Sequence, residues 1–439
     1  MIIIGALIIV IIILIIATAK FKVHPFLSLI VSSIIMGFVG QLEGSIIIEK
    51  ISEGFGNTLK SIGIIIAFGT IIGVYLEKTG GAQQMANSII KMIGEKRSAL
   101  AMNITGYIVS IPVFCDSGFI ILSSLNKALS KKTGIPILAL AIALSTGLYV
   151  THVFVPPTPG PLAAAATIGA DIGLVILLGI VVAIPTSLVG LGWAIYSSKK
   201  NTTIGQVISE IKEDTEDLPN ARISFTPIVV PIILIALKSI AEYPTEPFGQ
   251  GIFTEFLKIM GNPIIALLIG VFISLKIKKQ NKETHFDWFA EGLKNAGVII
   301  LITGAGGAFG NILRATDISN TIQNIFGEMQ VGIVLPFILA AILKSAQGSS
   351  TVSIITTAAI ISPMLVPMGL EAPLSRALVV LAIGAGAMTV SHINDSYFWV
   401  VTQFTGIETS TALKSHTIAT LLQGLSAILI ILIIKVAFV

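Results

Sequence analysis

Apolar runs long enough to cross a bilayer recur along almost the whole chain, and this dictates its solvent. A crossing helix needs roughly 18–20 residues with few charges. Runs of that kind lie near residues 2–18, 25–41, 61–76, 135–150, 172–196, 225–240, 262–276, 296–312, 375–390 and 416–438. Apolar residues make up 54% of the 439 and charged residues 11%, where soluble domains carry roughly a quarter charged. With backbone polar groups unable to find water in hydrocarbon, such runs fold as helices. The expected class is therefore an all-α polytopic membrane protein. Residues 1–18 lack a basic leader and a small-residue cleavage site, so they read as a retained first helix.

Four polar interruptions break this pattern, in two pairs set about half the chain apart. The first half carries IPVFCDSG at 111–118 and THVFVPPTPGP at 151–161; the second carries SAQGSST at 345–351 and SHINDS at 391–396. Irregular backbone at membrane depth survives only where protein encloses it or it lines a polar cavity. Interruptions at matching places in two halves point to the binding site of a transporter.

Loop charge assigns the direction of each segment. The apolar stretch near 99–125 is flanked by Lys91, Lys96 and Arg97 on one side and by Lys127, Lys131 and Lys132 on the other. Basic loops mark the cytoplasmic face, so this stretch is expected to enter and leave on that face as a re-entrant hairpin. A second hairpin is expected near 331–366. The basic stretch holding Lys276, Lys278, Lys279, Lys282 and Lys294 reads as another cytoplasmic loop. Five crossings and one hairpin per half make an odd number of crossings, so the halves begin on opposite sides. The expectation is two inverted-topology repeats, 1–198 and 225–439, joined by a cytoplasmic linker at 199–224. The +4 net charge follows from such loops and calls for no nucleic acid.

The interruptions supply the candidate site. At the first, Pro112 removes a backbone donor and Gly118 relaxes φ, and between them lie Asp116 and Ser117. A carboxylate at membrane depth lines an ion or substrate path, or caps the restarted helix. At the second hairpin, Gln347, Ser349, Ser350 and Thr351 offer an amide, hydroxyls and a new helix N-terminus, which attracts an anion or simply caps itself. Lys344 precedes them and either adds positive charge or snorkels. The Pro-rich break holds His152 and Thr158; the last holds His392, at the matching point of the second half, with Asn394 and Asp395. The expected ligand is a small organic anion, bound by these residues, with Asp116 and Asp395 as candidate proton carriers. The glycine run TGAGGAFG at 303–310 lacks the Lys-Ser/Thr ending of a phosphate loop and reads as close helix packing, paired with FGTIIG at 68–73.

One cysteine, Cys115, rules out an internal disulfide and a thiolate metal site. No cofactor is expected. His-Glu-x-x-His and Gly-x-Ser-x-Gly are both absent from the sequence, which argues against a metalloprotease or a serine hydrolase. A passive channel would need a continuous polar pore, at odds with paired hairpins.

Taken in order, IPVFCDSGF, THVFVPPTPGP, ITGAGGAFG, AQGSSTVSIITTAA and SHINDSYFWV resemble the gluconate permease family of organic-anion:proton symporters. The resemblance covers most of the chain. It implies a fold shared with ion transporters built from inverted repeats, a cytoplasmic-membrane location, a homodimer, and import of a small hydroxy or sugar acid with a proton. Two positions depart from the family pattern. Phe114-Cys115-Asp116-Ser117 stands where gluconate carriers often have an aromatic pair and an acid, and Thr158 stands where a histidine is usual. Sodium coupling, and citrate-like, D-serine or glycerate substrates, stay open at this point.

Overall fold

The computed structural model describes residues 2–199, 218–242, 248–278, 281–316, 332–393 and 395–438, all helix and connecting turns with no strand among them. The first half runs α1 (Ile2–Ala19), α2 (Pro25–Val39), α3 (Gly44–Lys78), α4 (Gly81–Ile93), α5 (Ser98–Val109), α6 (Cys115–Thr133), α7 (Ile137–Phe154), α8 (Pro159–Ile168) and α9 (Ile172–Ser198). The second runs α10 (Ala221–Ala241), α11 (Ile252–Met260), α12 (Pro263–Ser274), α13 (Lys282–Ala315), α14 (Val334–Gln347), α15 (Ser350–Ile361), α16 (Pro373–Met388), α17 (Ser396–Thr405) and α18 (Thr409–Phe438). Within α18, residues Leu413–Thr417 form a π turn.

The order of elements repeats between halves. A 35-residue helix in the first half and a 34-residue helix in the second each precede a pair of short helices. Next comes a broken span, α7–α8 in one half and α16–α17 in the other, and each half closes on a long helix. Among the described residues, six helices, counting α7–α8 as one, are long and apolar enough to cross a bilayer; α11 and α12, bent by 65° at their junction, would make a seventh. The helices α1, α2, α14, α15 and α16 are apolar but shorter.

The long helices α3 and α13 pack antiparallel along their length. Near one end, Asn311 Nδ2 donates to the Lys50 carbonyl at 2.8 Å; further along, Thr70 Oγ1 donates to the Gly292 carbonyl at 3.0 Å. At the other end Tyr75 Oη lies 2.8 Å from His285 Nδ1, with Trp288 edge-on to the Tyr75 ring. The glycine run at 303–310 packs closely on α3, as expected: a Cβ at Gly304 would stand 2.5 Å from the Phe55 ring and one at Gly307 2.0 Å from the Thr58 hydroxyl.

Several expectations need correction. The basic stretch at 276–294 is not one loop: Lys282 and Lys294 lie on α13, which begins fourteen residues before the apolar run. Helix α3 likewise begins at Gly44, far ahead of residue 61, because partnering α13 lets polar helical turns persist beyond the apolar stripe. The linker expected at 199–224 gives way to α10 at Ala221, capped by the Asn220 side chain accepting from the Arg222 N–H at 2.9 Å. Residues 200–217 and Lys279 lie outside the described residues.

Candidate functional site

Both short-helix pairs are hairpins; the second turns at its polar tip, whereas the first turns just ahead of its polar residues, with Gly118 inside α6 in an ordinary helical conformation rather than relaxing the turn as expected. The first reverses over residues 110–114. Pro112 cannot donate a ladder bond, and Ser110 Oγ closes the turn by donating to the Val113 carbonyl at 3.1 Å. Helix α6 then restarts with Asp116 in its first turn. The second reverses at Gly348, whose φ of 76° is the left-handed conformation that favours glycine, and Ser349 caps α15 by accepting from the Val352 N–H at 3.4 Å. The first helix break spans residues 155–158, where Thr158 Oγ1 donates to the Val155 carbonyl at 2.6 Å. The second spans 389–395, and Asp395 caps α17 by accepting from the Tyr397 N–H at 3.1 Å.

These four irregular segments meet. Helix α3 receives the first hairpin and the first break on two glycines. A Cβ at Gly73 would stand 2.6 Å from the Pro112 carbonyl oxygen, and one at Gly69 3.3 Å from that of Pro157. The start of α8 abuts the second hairpin, since a Cβ at Gly160 would stand 2.9 Å from Ile354 and 3.7 Å from the Thr351 Cα. Phe114, at the first turn, lies 6.0 Å ring to ring from His152, in the last turn of α7. Matching glycines seat the hairpin arms: Gly147 of α7 would meet the Asn103 carbonyl of α5, and Gly386 of α16 the Phe337 carbonyl of α14. Such small residues let backbones approach where lipid offers no hydrophobic drive.

The second hairpin and the second break are joined by charge. Lys344, wholly buried in the last turn of α14, donates its Nζ to Asp395 Oδ2. The same oxygen accepts from the Ser391 hydroxyl. Ser391 Oγ is 3.2 Å from His416 Nε2, and His416 Nδ1 is 3.3 Å from Ser145 Oγ on α7. Tyr397 Oη donates to the Ser145 carbonyl at 3.0 Å, and its ring lies 5.1 Å from that of Tyr149. A polar network therefore runs from α14 through the second break to α18 and α7, in a setting where an unmatched charge would be costly.

The expected site residues divide by placement. Asp116 is close enough to Lys344 and Asp395 to feel both charges, yet its Oδ1 is buried and makes no hydrogen bond to protein. The same holds for His152 Nδ1 and for both amide atoms of Gln347. Ser350 is buried beside Tyr149, while Thr351 is half-buried one residue further on. Ser117 makes a side-chain hydrogen bond with Glu77 of α3. His152 and His392, a matched pair by sequence, are not structurally equivalent: His152 is helical, whereas His392 sits in the non-helical break and lends its carbonyl to the Asp395 N–H at 2.8 Å. Asn394 lies outside the described residues.

Sequence reasoning missed His416, Ser391, Ser145, Tyr149 and Tyr397 as members of the network. Tyr149, Ser391 and Tyr397 adjoin the motifs and could have been found there; His416 lies in an unremarkable stretch of the last helix. A second polar cleft, of roughly 500 Å³ with part of it open to solvent, lies between α3, α8 and α13 and is lined by Asn57, Ser61, Thr167 and Arg314 among others. No cluster of three or more His, Cys, Asp or Glu suited to a metal ion occurs among the described residues.

Residues 1–437 match the family described as GntP family permease. The gluconate permease of Pseudomonas aeruginosa is 32% identical over 95% of this chain and 94% of its own length. The D-serine transporter of Escherichia coli K12 is 32% identical over 97% of this chain and 96% of its own. In fold, the chain resembles the antimetabolite efflux pump MtrF of Neisseria gonorrhoeae, with a TM-score of 0.68 over 95% of this chain and 96% of that one, at 14% identity. A family match over nearly the whole length, with apolar helices that cross a membrane several times, makes this chain a multi-pass membrane protein of the GntP family of permeases.

Proposed function

We propose that the chain imports a small hydroxy or sugar acid across the cytoplasmic membrane by proton symport. The observation that carries this reading is the meeting of two hairpin turns and two helix breaks around buried ionisable groups: Lys344, Asp395, Asp116 and His152. Discontinuous helices of this kind place half-helix termini and freed backbone groups around a substrate near mid-membrane. The gluconate and D-serine carriers among the relatives handle small polar molecules that bear one carboxylate, which suits this site.

In this reading the substrate carboxylate and hydroxyls lie against Gln347, Ser349, Ser350 and Thr351 of the second hairpin, with Thr158, His152, His392 and Asn394 at the breaks and Asp116 with Ser117 at the first hairpin. Asp116 or Asp395 takes the proton. Neutralising a buried carboxylate removes the cost of carrying its charge through a low-dielectric barrier, so loading and proton uptake favour the same conformational change.

The halves 1–198 and 225–439 form inverted-topology repeats in the same proposal. Its support is the antiparallel packing of α3 on α13, the longest helix of each half. Equivalent elements that run in opposite directions are what inversion requires. A homodimer belongs to the same reading, on the family resemblance.

Counterflow in proteoliposomes tests the substrate class. Vesicles preloaded with gluconate are expected to draw in labelled gluconate, and external glycerate or D-serine to compete. Failure of every such acid to support counterflow would refute the proposal.

A further inference from the structure

The buried pair Lys344–Asp395 sets a charge account that the site must balance, and this deepens the transport reading just given. Asp395 is fully engaged: Oδ2 accepts from Lys344 Nζ and the Ser391 hydroxyl, Oδ1 from the Tyr397 N–H. Lys344 is the cation that Asp395 neutralises, and it sits three residues before the Gln347 turn. The titratable groups facing the pair are Cys115 and Asp116 from α6, Tyr149 and His152 from α7, Tyr397 from α17 and His416 from α18. None of them is a second lysine or arginine. A substrate carboxylate entering here would bring a negative charge with no free positive partner, and a buried unpaired charge is strongly unfavourable.

We propose that Asp395 is a built-in stand-in for the substrate's carboxylate, and that Lys344 exchanges between the two. When substrate binds, its carboxylate takes over the Lys344 ammonium. A proton from the aqueous phase goes to Asp395 Oδ2, the oxygen that Lys344 gives up, beside the Ser391 hydroxyl. Before the exchange the pair is Lys⁺ and Asp⁻. After it the site holds Lys⁺, the substrate anion and a neutral acid, so net charge is conserved with one anion and one proton loaded together. Loading the anion without the proton would leave Asp395 charged and unpaired, which couples the two fluxes.

The same count fixes a substrate class. One ammonium matches one carboxylate, so the site accepts monocarboxylates that carry hydroxyls and rejects doubly or triply charged acids such as citrate. A 2-amino acid is also accommodated: its ammonium pairs with Asp116, whose Oδ1 is unpartnered, once that carboxyl has passed its proton to Asp395, so the zwitterion loads with no net proton and no unpaired charge.

The test uses the purified full-length protein in lipid nanodiscs, with gluconate, glycerate, D-serine and citrate as probes. Titration calorimetry in two buffers of different ionisation enthalpy reads proton uptake directly. The wild type is expected to take up about one proton per gluconate bound near neutral pH, and to ignore citrate. Asp395→Asn is expected to bind gluconate without proton uptake and with an affinity independent of pH. The electroneutral Lys344→Met/Asp395→Asn double variant keeps the buried site uncharged, so folding is preserved, and its affinity for gluconate is expected to fall roughly 100-fold. The exchange is overturned if Asp395→Asn still takes up the proton, if it folds but no longer binds gluconate, or if the double variant binds like wild type. It is also overturned, with symport still open to another carrier, if the wild type binds gluconate with no proton uptake. If no probe binds the wild type, the transport reading falls and the exchange with it.

Discussion

The seat of the first hairpin on α3 yields a prediction in which one substitution is compared at three glycines. At Gly73 an added Cβ would lie 2.6 Å from the Pro112 carbonyl oxygen, about 0.8 Å inside ordinary contact at 3.4 Å (3.4 − 2.6). The obstacle is backbone at a tight turn, which yields only if the hairpin tip moves. At Gly306 the nearest atom is Ile355 Cγ2 at 2.9 Å, a branch methyl on a buried side chain that gives less readily than a chain end but more readily than backbone; at Gly63, on the same helix as Gly73, nothing lies within 4 Å. Alanine gains up to about 1 kcal/mol over glycine in a helix interior, and this gain is common to all three, so differences between the variants isolate the contact. Overpacking costs about 1–3 kcal/mol. Gly73→Ala should thus be less stable than Gly63→Ala by about 1–3 kcal/mol, with Gly306→Ala between them. Unfolding equilibria in mixed detergent–lipid micelles measure stability, and initial uptake rates in proteoliposomes measure the site. Gly73→Ala is also expected to slow uptake, because the displaced tip carries Asp116. Equal stability and equal uptake for Gly73→Ala and Gly63→Ala would refute the seating of the hairpin on α3.

The remaining predictions concern the polar network. Lys344→Met should destabilise the protein by about 3–5 kcal/mol, because Asp395 is left buried and uncompensated, and adding Asp395→Asn should recover most of the loss; a double-variant cycle in the same micelles checks it. Tyr397→Phe deletes the donor to the Ser145 carbonyl and should cost about 1 kcal/mol, read from the same unfolding curves. Asp116→Asn should weaken competition by D-serine about tenfold more than competition by glycerate, since the partner for the ammonium is lost; competition assays read this directly.

Much of the site was legible because its signals are local. Pro112, Pro156, Pro157 and Gly348 interrupt helices whatever surrounds them, so the turns and breaks fall where the sequence places them. Glycine packing was readable for a similar reason, small residues in an apolar run having few other uses in a membrane. What stayed hidden depends on distant partners. Lys344 and Asp395 are 51 residues apart, and nothing in either neighbourhood announces the other. His416 joins the network only because α18 crosses beside the second break. The pairing of His152 with His392 misled, since equal spacing in sequence does not oblige two breaks to begin at the same residue: α7 continues past its histidine, whereas α16 stops at Met388 before its own. The lengths of α3 and α13 were underestimated because charged turns such as those around Lys282 and Lys294 look like loop until their partner helix is known.

In the proposed cycle an inward proton gradient loads a monocarboxylate. Proteoliposomes with an imposed pH gradient, acidic outside, and with potassium and valinomycin clamping the membrane potential, test it directly in sodium-free buffer. Labelled gluconate is expected to accumulate above its external concentration, a protonophore to collapse that accumulation, and Asp395→Asn to show none although counterflow persists. Accumulation that needs sodium and ignores the pH gradient, or that survives intact in Asp395→Asn, would contradict it.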